Sequence, residues 1–532
     1  MKKIRCCTAL ILYLFAISIP QFFIWSDLFV QEFDADVAES VIWAQASLES
    51  GSLISPDFGY THILPFGGQF IFNPVVAKFG VSMFSLRLGL SIWSGIFSLL
   101  LLAFFFSMEW HWEWSFIISS VVIIFLSASR LLREIYWAHV VHYNLSMFYL
   151  LLTMIFLSLF FADSRRKKII GAVGYGIFLI LGSSNGMVVI LFFSLALFFG
   201  IVLERFLHDG IKDFFTKDNI RLFVLTAFCI GAGIILGKLI AGSASTVYTD
   251  QFTVFAPADE WLDNFLRFPN NWLQMFTELP TENVPFFSSV GIKLMIRIAA
   301  AFTAALLSIR SVCLYNRLNS RLERIFIGVH VFISAATLFV YIFGIIYLNP
   351  WRITPMFFTG LVTALIMLKY DCTELTGKKP SIQLFAIFSA FILTLYAGIG
   401  SISVFHQPIN AEFWTGQGSI IKTLADHNLT YGYSLDHWFA NSITVLTDEE
   451  IRVRETIIKD GELAPSFLQS NVHWYQDQPG VDNYFLICQE YDYWNYPEIA
   501  EGAIATYRAN QERTFRSGKA GFFIFVFDKN LF

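Results

Sequence analysis

An α-helical polytopic membrane protein of about eleven transmembrane helices, ending in a small extracytoplasmic α/β domain, is the fold class that the 532-residue sequence predicts. Three observations carry it. Hydrophobic residues make up 56% of the chain and charged ones only 14%, and phenylalanine alone occupies 59 positions, a balance far more apolar than that of a soluble domain. Apolar stretches long enough to cross a bilayer as helices recur up to about residue 403. Beyond that point the composition changes, and β-rich runs such as TYGYS, IRVRETII, DNYFLIC and GFFIFVF alternate with polar pieces containing Pro and Gly.

The eleven stretches are residues 8–26, 87–107, 115–129, 140–161, 169–184, 186–204, 220–240, 291–310, 324–348, 353–370 and 381–403. The first follows Lys2, Lys3 and Arg5 and has no small-residue cleavage site after it, so it reads as an uncleaved anchor. With the amino terminus inside, eighteen Lys and Arg residues fall in cytoplasmic segments and six, Lys78, Arg87, Arg130, Arg133, Arg267 and Arg352, in the opposite loops. The positive-inside rule then predicts a multi-pass plasma-membrane protein with a cytoplasmic amino terminus and an extracytoplasmic carboxyl terminus. Residues 1–403 form the transmembrane module, with outer loops 27–86 and 241–290, and residues 404–532 a soluble extracytoplasmic α/β domain.

Composition also excludes some functions. Cys6, Cys7, Cys229, Cys313 and Cys372 lie in spans or on the inner side, and only Cys488 lies outside, which gives neither a disulfide framework nor a zinc spacing. The net charge is −5 and the basic residues are dispersed among short loops, so there is no basic face for nucleic acid.

Directly after the first span comes QEFDADVAES, with carboxylates at Glu32, Asp34, Asp36 and Glu39. Val37, Val41, Ala44 and Leu48 recur at helical spacing, so a juxtamembrane helix is expected over 36–50. Asp36-Val-Ala-Glu39 matches a capping box, which accounts for both acids by local structure and leaves Asp34 unexplained.

Further on, SASRLLREIYWAHVVHYNLS crowds Arg130, Arg133, Tyr136, His139 and His142 between the third and fourth spans. The two histidines are three apart and would share one helix face, the weakest form of a metal pair. Arg130 and Arg133 fit snorkelling at the membrane boundary, and they equally fit a phosphate, which the planar guanidinium fork suits. In NPWRITP two prolines bracket Arg352, breaking the helices at a depth where a charge needs a cavity or an anion. In loop 241–290, Trp261, Phe265, Phe268 and Trp272 form one stripe, as an interfacial helix requires. Lys238, Lys293 and Arg297, in or beside spans, point to a protein-facing polar cavity.

The stretch from Phe33 to Gly95 resembles the first outer loop of the GT-C superfamily, the multispan glycosyltransferases that use polyprenyl-phosphate sugars. The residues that carry the likeness are Asp36, Ser50-Gly51, Pro56, Leu64-Pro65-Phe66-Gly67, Phe79-Gly80 and Arg87. NPWRITP is similar to the family's Arg-Tyr-x-x-Pro motif, with Arg352 and Pro355 in place and Ile353 at the usual Tyr position. Aminoarabinose-transferase-like members carry a Lys where this chain has His62 and Ile63. The tail's Tyr431-Gly432-Tyr433 and His437-Trp438 look like a run in the outer domains of bacterial members, and ordinary packing accounts for them equally well.

The resemblance implies a GT-C-type fold and an inverting sugar transfer from a polyprenyl-phosphate-linked donor to an envelope glycan, lipid or protein acceptor. It makes Asp36, with Asp34 as the close alternative, the catalytic carboxylate. It gives the donor phosphate to Arg352 and to Arg133 or Arg130. Glu39, His62, Tyr136, His139 and His142 remain substrate or metal contacts, with the part of a divalent metal left open. Membrane lipids are the other partners. Two other classes stay open. A transporter or flippase would place ionisable groups nearer mid-membrane and show internal repeats, and a non-catalytic envelope assembly protein could keep the same fold.

Overall fold

Each of the eleven apolar stretches is largely helical over its described residues in the computed structural model, which describes residues 2–242, 244, 246, 254–318, 320–345, 350–373, 380–405, 413–512 and 519–532. The rest of the second outer loop's start, Asn349 of NPWRITP, and the inner basic pair Lys378 and Lys379 lie outside the described residues. Among the described residues, nine helices are long and apolar enough to cross a membrane by themselves. The third stretch instead forms two helices, Trp112–Ala128 and Arg130–Ala138, bent by 111°. The fifth forms Arg165–Ser183, whose first turn is Arg-Arg-Lys-Lys, so its apolar part is shorter than a span requires. This is a multi-pass membrane protein.

The chain divides into two compact units, one of residues 1–23, 93–239 and 249–406 and the other of residues 24–92, 240–248 and 407–532. In the first, the helical bundle, the helix Pro350–Thr373 has 83% of its apolar window buried, whereas Lys217–Ala241 has 28%. The former therefore runs through the bundle's centre and the latter along its lipid-facing rim. Small residues permit the close crossings. A Cβ on Gly200 would lie 2.6 Å from the Ile325 carbonyl oxygen, so Ala196–Phe214 can meet Arg321–Phe343 only at glycine. Several charges in the bundle are paired, as low polarity favours: Arg310 grips Asp371 with two bonds of 3.0 Å, and buried Glu204 takes Arg324 at 3.1 Å and Arg321 at 3.3 Å.

In the second unit the surface helix after the first span runs over Ala35–Ser50. Its cap is Asp34, in extended backbone, whose side chain accepts from the Val37 amide at 3.1 Å. The capping box expected on Asp36 and Glu39 does not form, and the cap lies two residues earlier. Once Asp34 serves the first free amides, Asp36 sits inside the first turn and Glu39 is too far along to reach back. Val37, Val41 and Ala44 are buried as expected, whereas Leu48 is exposed. Gly51 ends the helix at φ 64°, a left-handed conformation that suits glycine.

The carboxyl-terminal part is a six-stranded sheet in the order β3-β2-β1-β4-β6-β5. Its strands are β1 (Tyr431–Ser434), β2 (Arg452–Lys459), β3 (Glu462–Pro465), β4 (Tyr484–Gln489), β5 (Ala505–Glu512) and β6 (Lys519–Phe527). Strand β1 lies between β2 and β4, parallel to both, and the remaining pairs are antiparallel. Both faces are buried. Phe439, Ile443, Val453, Phe485, Ile487 and Ile524 fill one side under the helices Phe413–Asp426 and His437–Leu446. Tyr431, Tyr433, Tyr475, Leu486, Phe523 and Phe525 fill the other. Backbone pairing ties loop 51–68 to this domain, with the Gly59 amide donating to Ser470 at 3.1 Å and the Gln469 amide to Gly59 at 2.7 Å.

Candidate active site

The local fold aims a set of acids from the surface helix at the carboxyl ends of the parallel strands. Asp36, in the first turn, keeps 38% of its side chain exposed. One turn on, Glu39 is buried and accepts a short hydrogen bond from the Thr61 hydroxyl. Across from them stands His437. It opens the helix His437–Leu446 directly after β1, and Asp436 caps that helix by accepting from the Trp438 amide at 3.1 Å. Gln489 at the end of β4 donates to the other oxygen of Asp436 at 2.6 Å, which fixes the turn.

The imidazole bridges two carboxylates. His437 Nε2 is 3.7 Å from Asp36 Oδ1, and its Nδ1 is 3.0 Å from Glu455 Oε2. Glu455 reaches this position because β2 pairs with β1 in the register that sets it opposite Ser434. Burial alone would lower the His437 pKa, but hydrogen bonds and charge from Asp36 and Glu455 outweigh it and lift it to about 10. Burial pushes Glu39 the other way from a normal carboxylate, up to about 8, with the Asp36 charge adding to the rise and Thr61, His437 and Gln469 only partly offsetting it. Near neutral pH the cluster's imidazole is therefore held as an imidazolium, beside a protonated Glu39.

His437 and Glu455 were not among the candidates from sequence. The strand–turn–helix TYGYSLDHW carried a usable signal, because ligands of open parallel sheets gather at the strands' carboxyl ends beside a switch in strand order. Glu455 carried none, since nothing local reports the register of β2. His62 lies half-buried in the turn that follows Thr61.

The bundle unit holds the arginine candidates. Ser129 caps the short helix Arg130–Arg133, and a π-helical turn over Glu134–Ala138 follows. Arg133, only 3% exposed, donates to the Ser127 carbonyl at 3.1 Å and lies over the Phe23 ring at 5.4 Å. Tyr136 is buried, stacks on Phe358 and donates to the Thr354 carbonyl at 3.4 Å. Arg352 lies in the 3-10 turn Pro350–Ile353 that starts the central helix, over the Trp351 ring at 5.2 Å. The Tyr143 ring meets the same Trp351 at 5.4 Å, so the segment after the π-helical turn and the start of the central helix converge on one another.

Two expectations fail here. His139 is in extended backbone at φ −135°, after the π-helical turn has ended, while His142 begins the next helix. They do not share one helix face, because the chain leaves the helix between them. His139 instead faces Glu134, with Nε2 3.9 Å from its carboxylate. Among the described residues no group of three or more His, Cys, Asp or Glu side chains is placed to hold a metal ion. The polar cavity expected from Lys238, Lys293 and Arg297 also divides. Both lysines are on exposed helix ends, where long stems bring the ammonium to water, and only Arg297 turns inward, donating to Thr277 at 3.0 Å.

The interfacial helix exists as Trp261–Gln274, with its faces rearranged. Trp261, Phe268 and Trp272 pack on Phe343, Tyr341 and Phe357, drawn in by the buried amides of Asn264 and Asn271, which donate to the Ile342 carbonyl and the Tyr341 hydroxyl. Phe265 points outward with Leu262 and Leu266.

No family model and no curated protein matches this sequence. Among solved structures, the crystal structure of ArnT from Cupriavidus metallidurans bound to undecaprenyl phosphate is similar, with a TM-score of 0.51 at 12% identity. The match covers 98% of this chain and 97% of that one. Over practically its whole length, this chain has the polytopic fold of that protein.

Proposed function

We propose that the protein is an inverting membrane glycosyltransferase that moves a sugar from a polyprenyl-phosphate donor to an envelope glycan, lipid or protein on the outer side of the plasma membrane. The observation that carries this reading is the division of labour between two neighbouring acids. Asp34 is consumed by capping, and Asp36 is left partly exposed at the end of a helix dipole, in contact with an imidazolium. ArnT of the same fold was crystallised with undecaprenyl phosphate, which supports a lipid phosphate as the donor's carrier.

In the proposed reaction Asp36 takes the proton of the acceptor hydroxyl as that oxygen bonds to the anomeric carbon. The bond from that carbon to the phosphate oxygen breaks, and its electron pair leaves with the lipid phosphate. Displacement from the opposite face inverts the carbon. Arg352 receives the charge that develops on the phosphate, with Arg133 or Arg130 assisting; preorganised charge of this kind is often the largest part of catalysis. Glu39, His62, Tyr136, His139 and His142 remain candidates for substrate contact, and a divalent metal is not required by these steps. The amino terminus is cytoplasmic and residues 404–532 extracytoplasmic, as the asymmetry of Lys and Arg supports.

Single replacements of the two acids test the assignment. With purified protein and a panel of undecaprenyl-phosphate monosaccharides, Asp36→Asn is expected to slow release of undecaprenyl phosphate by about 10²- to 10⁴-fold while the protein stays folded. Asp34→Asn should keep most activity, because Asn also caps helices well. Full turnover by Asp36→Asn would remove the catalytic reading and favour a transporter or a scaffold.

A further inference from the structure

We infer that the carboxyl-terminal domain completes the catalytic centre: His437, anchored by Glu455, is a positioning residue that orients the Asp36 carboxylate. This rests on the reading of Asp36 as the base. The two residues are about 400 positions apart in sequence, yet Nε2 of one lies 3.7 Å from Oδ1 of the other. The imidazole is not a loose surface contact. Its far nitrogen is tethered at 3.0 Å to a buried glutamate, and its helix start is pinned by Asp436, which Gln489 holds in turn. Three parallel strands, β2, β1 and β4, thus each contribute one group to its placement.

The arrangement has a chemical logic. A carboxylate on the first turn of a helix can rotate about its side-chain bonds, and a base works only when its oxygen is aimed at the proton it takes. Engaging Oδ1 from the side restricts that rotation. The titratable groups facing His437 are Asp36 and Glu39 from the surface helix and Glu455 from β2; Asp36 and Glu455 favour the imidazolium, while burial keeps Glu39 protonated near neutral pH. An imidazolium in turn favours the ionised form of Asp36, the form able to accept a proton. His437 itself passes no proton in this scheme; the proton from the acceptor stays on Asp36 until water removes it.

The test uses full-length protein and the same donor panel. His437→Gln and Glu455→Gln are each expected to lower kcat about 10- to 100-fold with KM little changed. The acid limb of the kcat/KM profile should move to higher pH in His437→Gln, as loss of the imidazolium makes Asp36 easier to protonate. His437→Lys, which restores a positive charge, should bring that limb part of the way back. A structural contribution alone would shift the thermal midpoint and leave the pH profile where it was. Wild-type kcat and pH profile in both Gln variants, alongside an inactive Asp36→Asn, overturn the inference and leave the glycosyltransferase reading intact. An active Asp36→Asn overturns the reading itself. Should His437→Gln fail to fold, Glu455→Gln decides by the same two readouts.

Discussion

At the scale of single residues, position along a helix decides which acid serves as its cap. Asp34 and Asp36 are two apart and look alike in the sequence, but only the first has the extended backbone of a cap. Glu39 shows a second effect, that of burial. Its carboxyl is held up to about 8 against 4.5 when exposed, so the folded protein keeps a proton that the unfolded chain gives up. Stability from this group is therefore present below pH 4.5 and lost as pH rises through about 8. His437 acts in the same direction over a higher window, from 6.5 to about 10. Thermal unfolding across pH 4 to 10 should show stability falling with pH over both windows. Glu39→Gln should flatten the lower one and leave the upper; an unchanged slope in that variant would contradict the assignment.

Among elements, what could be read locally was read well, and what depends on register was not. The spans follow from runs of Phe, Leu and Ile, a property of each segment alone. Strands β1, β2, β4 and β6 show as β-rich runs for the same reason, while β3 and β5, more polar, do not. Arg352 and Pro355 were placed at a helix start because proline marks that boundary. The His139 and His142 pair was misread because a π-helical turn is invisible to a pattern of spacing. Glu455 escaped because a one-residue slip of β2 would turn it away, and hydrophobic alternation cannot report which neighbour it faces. The contact of loop with sheet is a matter of shape that no composition carries. At Gly59 a Cβ would stand 1.7 Å from the Phe467 carbonyl oxygen, so any side chain there must push the loop off the domain. Gly59→Ala is expected to cost about 1–3 kcal/mol, as overpacking does. Thermal unfolding of the full chain reads it, and a midpoint equal to wild type would mean that the loop docks otherwise.

For the whole molecule, the proposed function implies a substrate that lives in two media. The isoprenoid tail of the donor stays in the bilayer and the sugar in water, so the protein needs a bundle for the first and polar groups at its outer boundary for the second. The proposed reaction requires one orientation. Threaded with the amino terminus inside, the sequence puts most basic residues in one set of loops, with Arg165, Arg166, Lys167 and Lys168 together at the start of one helix. Moving the clustered charges across the bilayer during insertion is what the asymmetry opposes. In a background with native cysteines replaced by serine, Asp477→Cys in the sheet domain, an exposed position, should react with a membrane-impermeant maleimide on intact cells. Asp163→Cys, exposed beside the basic cluster, should react only after permeabilisation. The reverse pattern would put the acid cluster on the cytoplasmic side, where a donor presented at the outer surface could not reach it, and the proposed reaction would have to be abandoned even with every residue assignment intact.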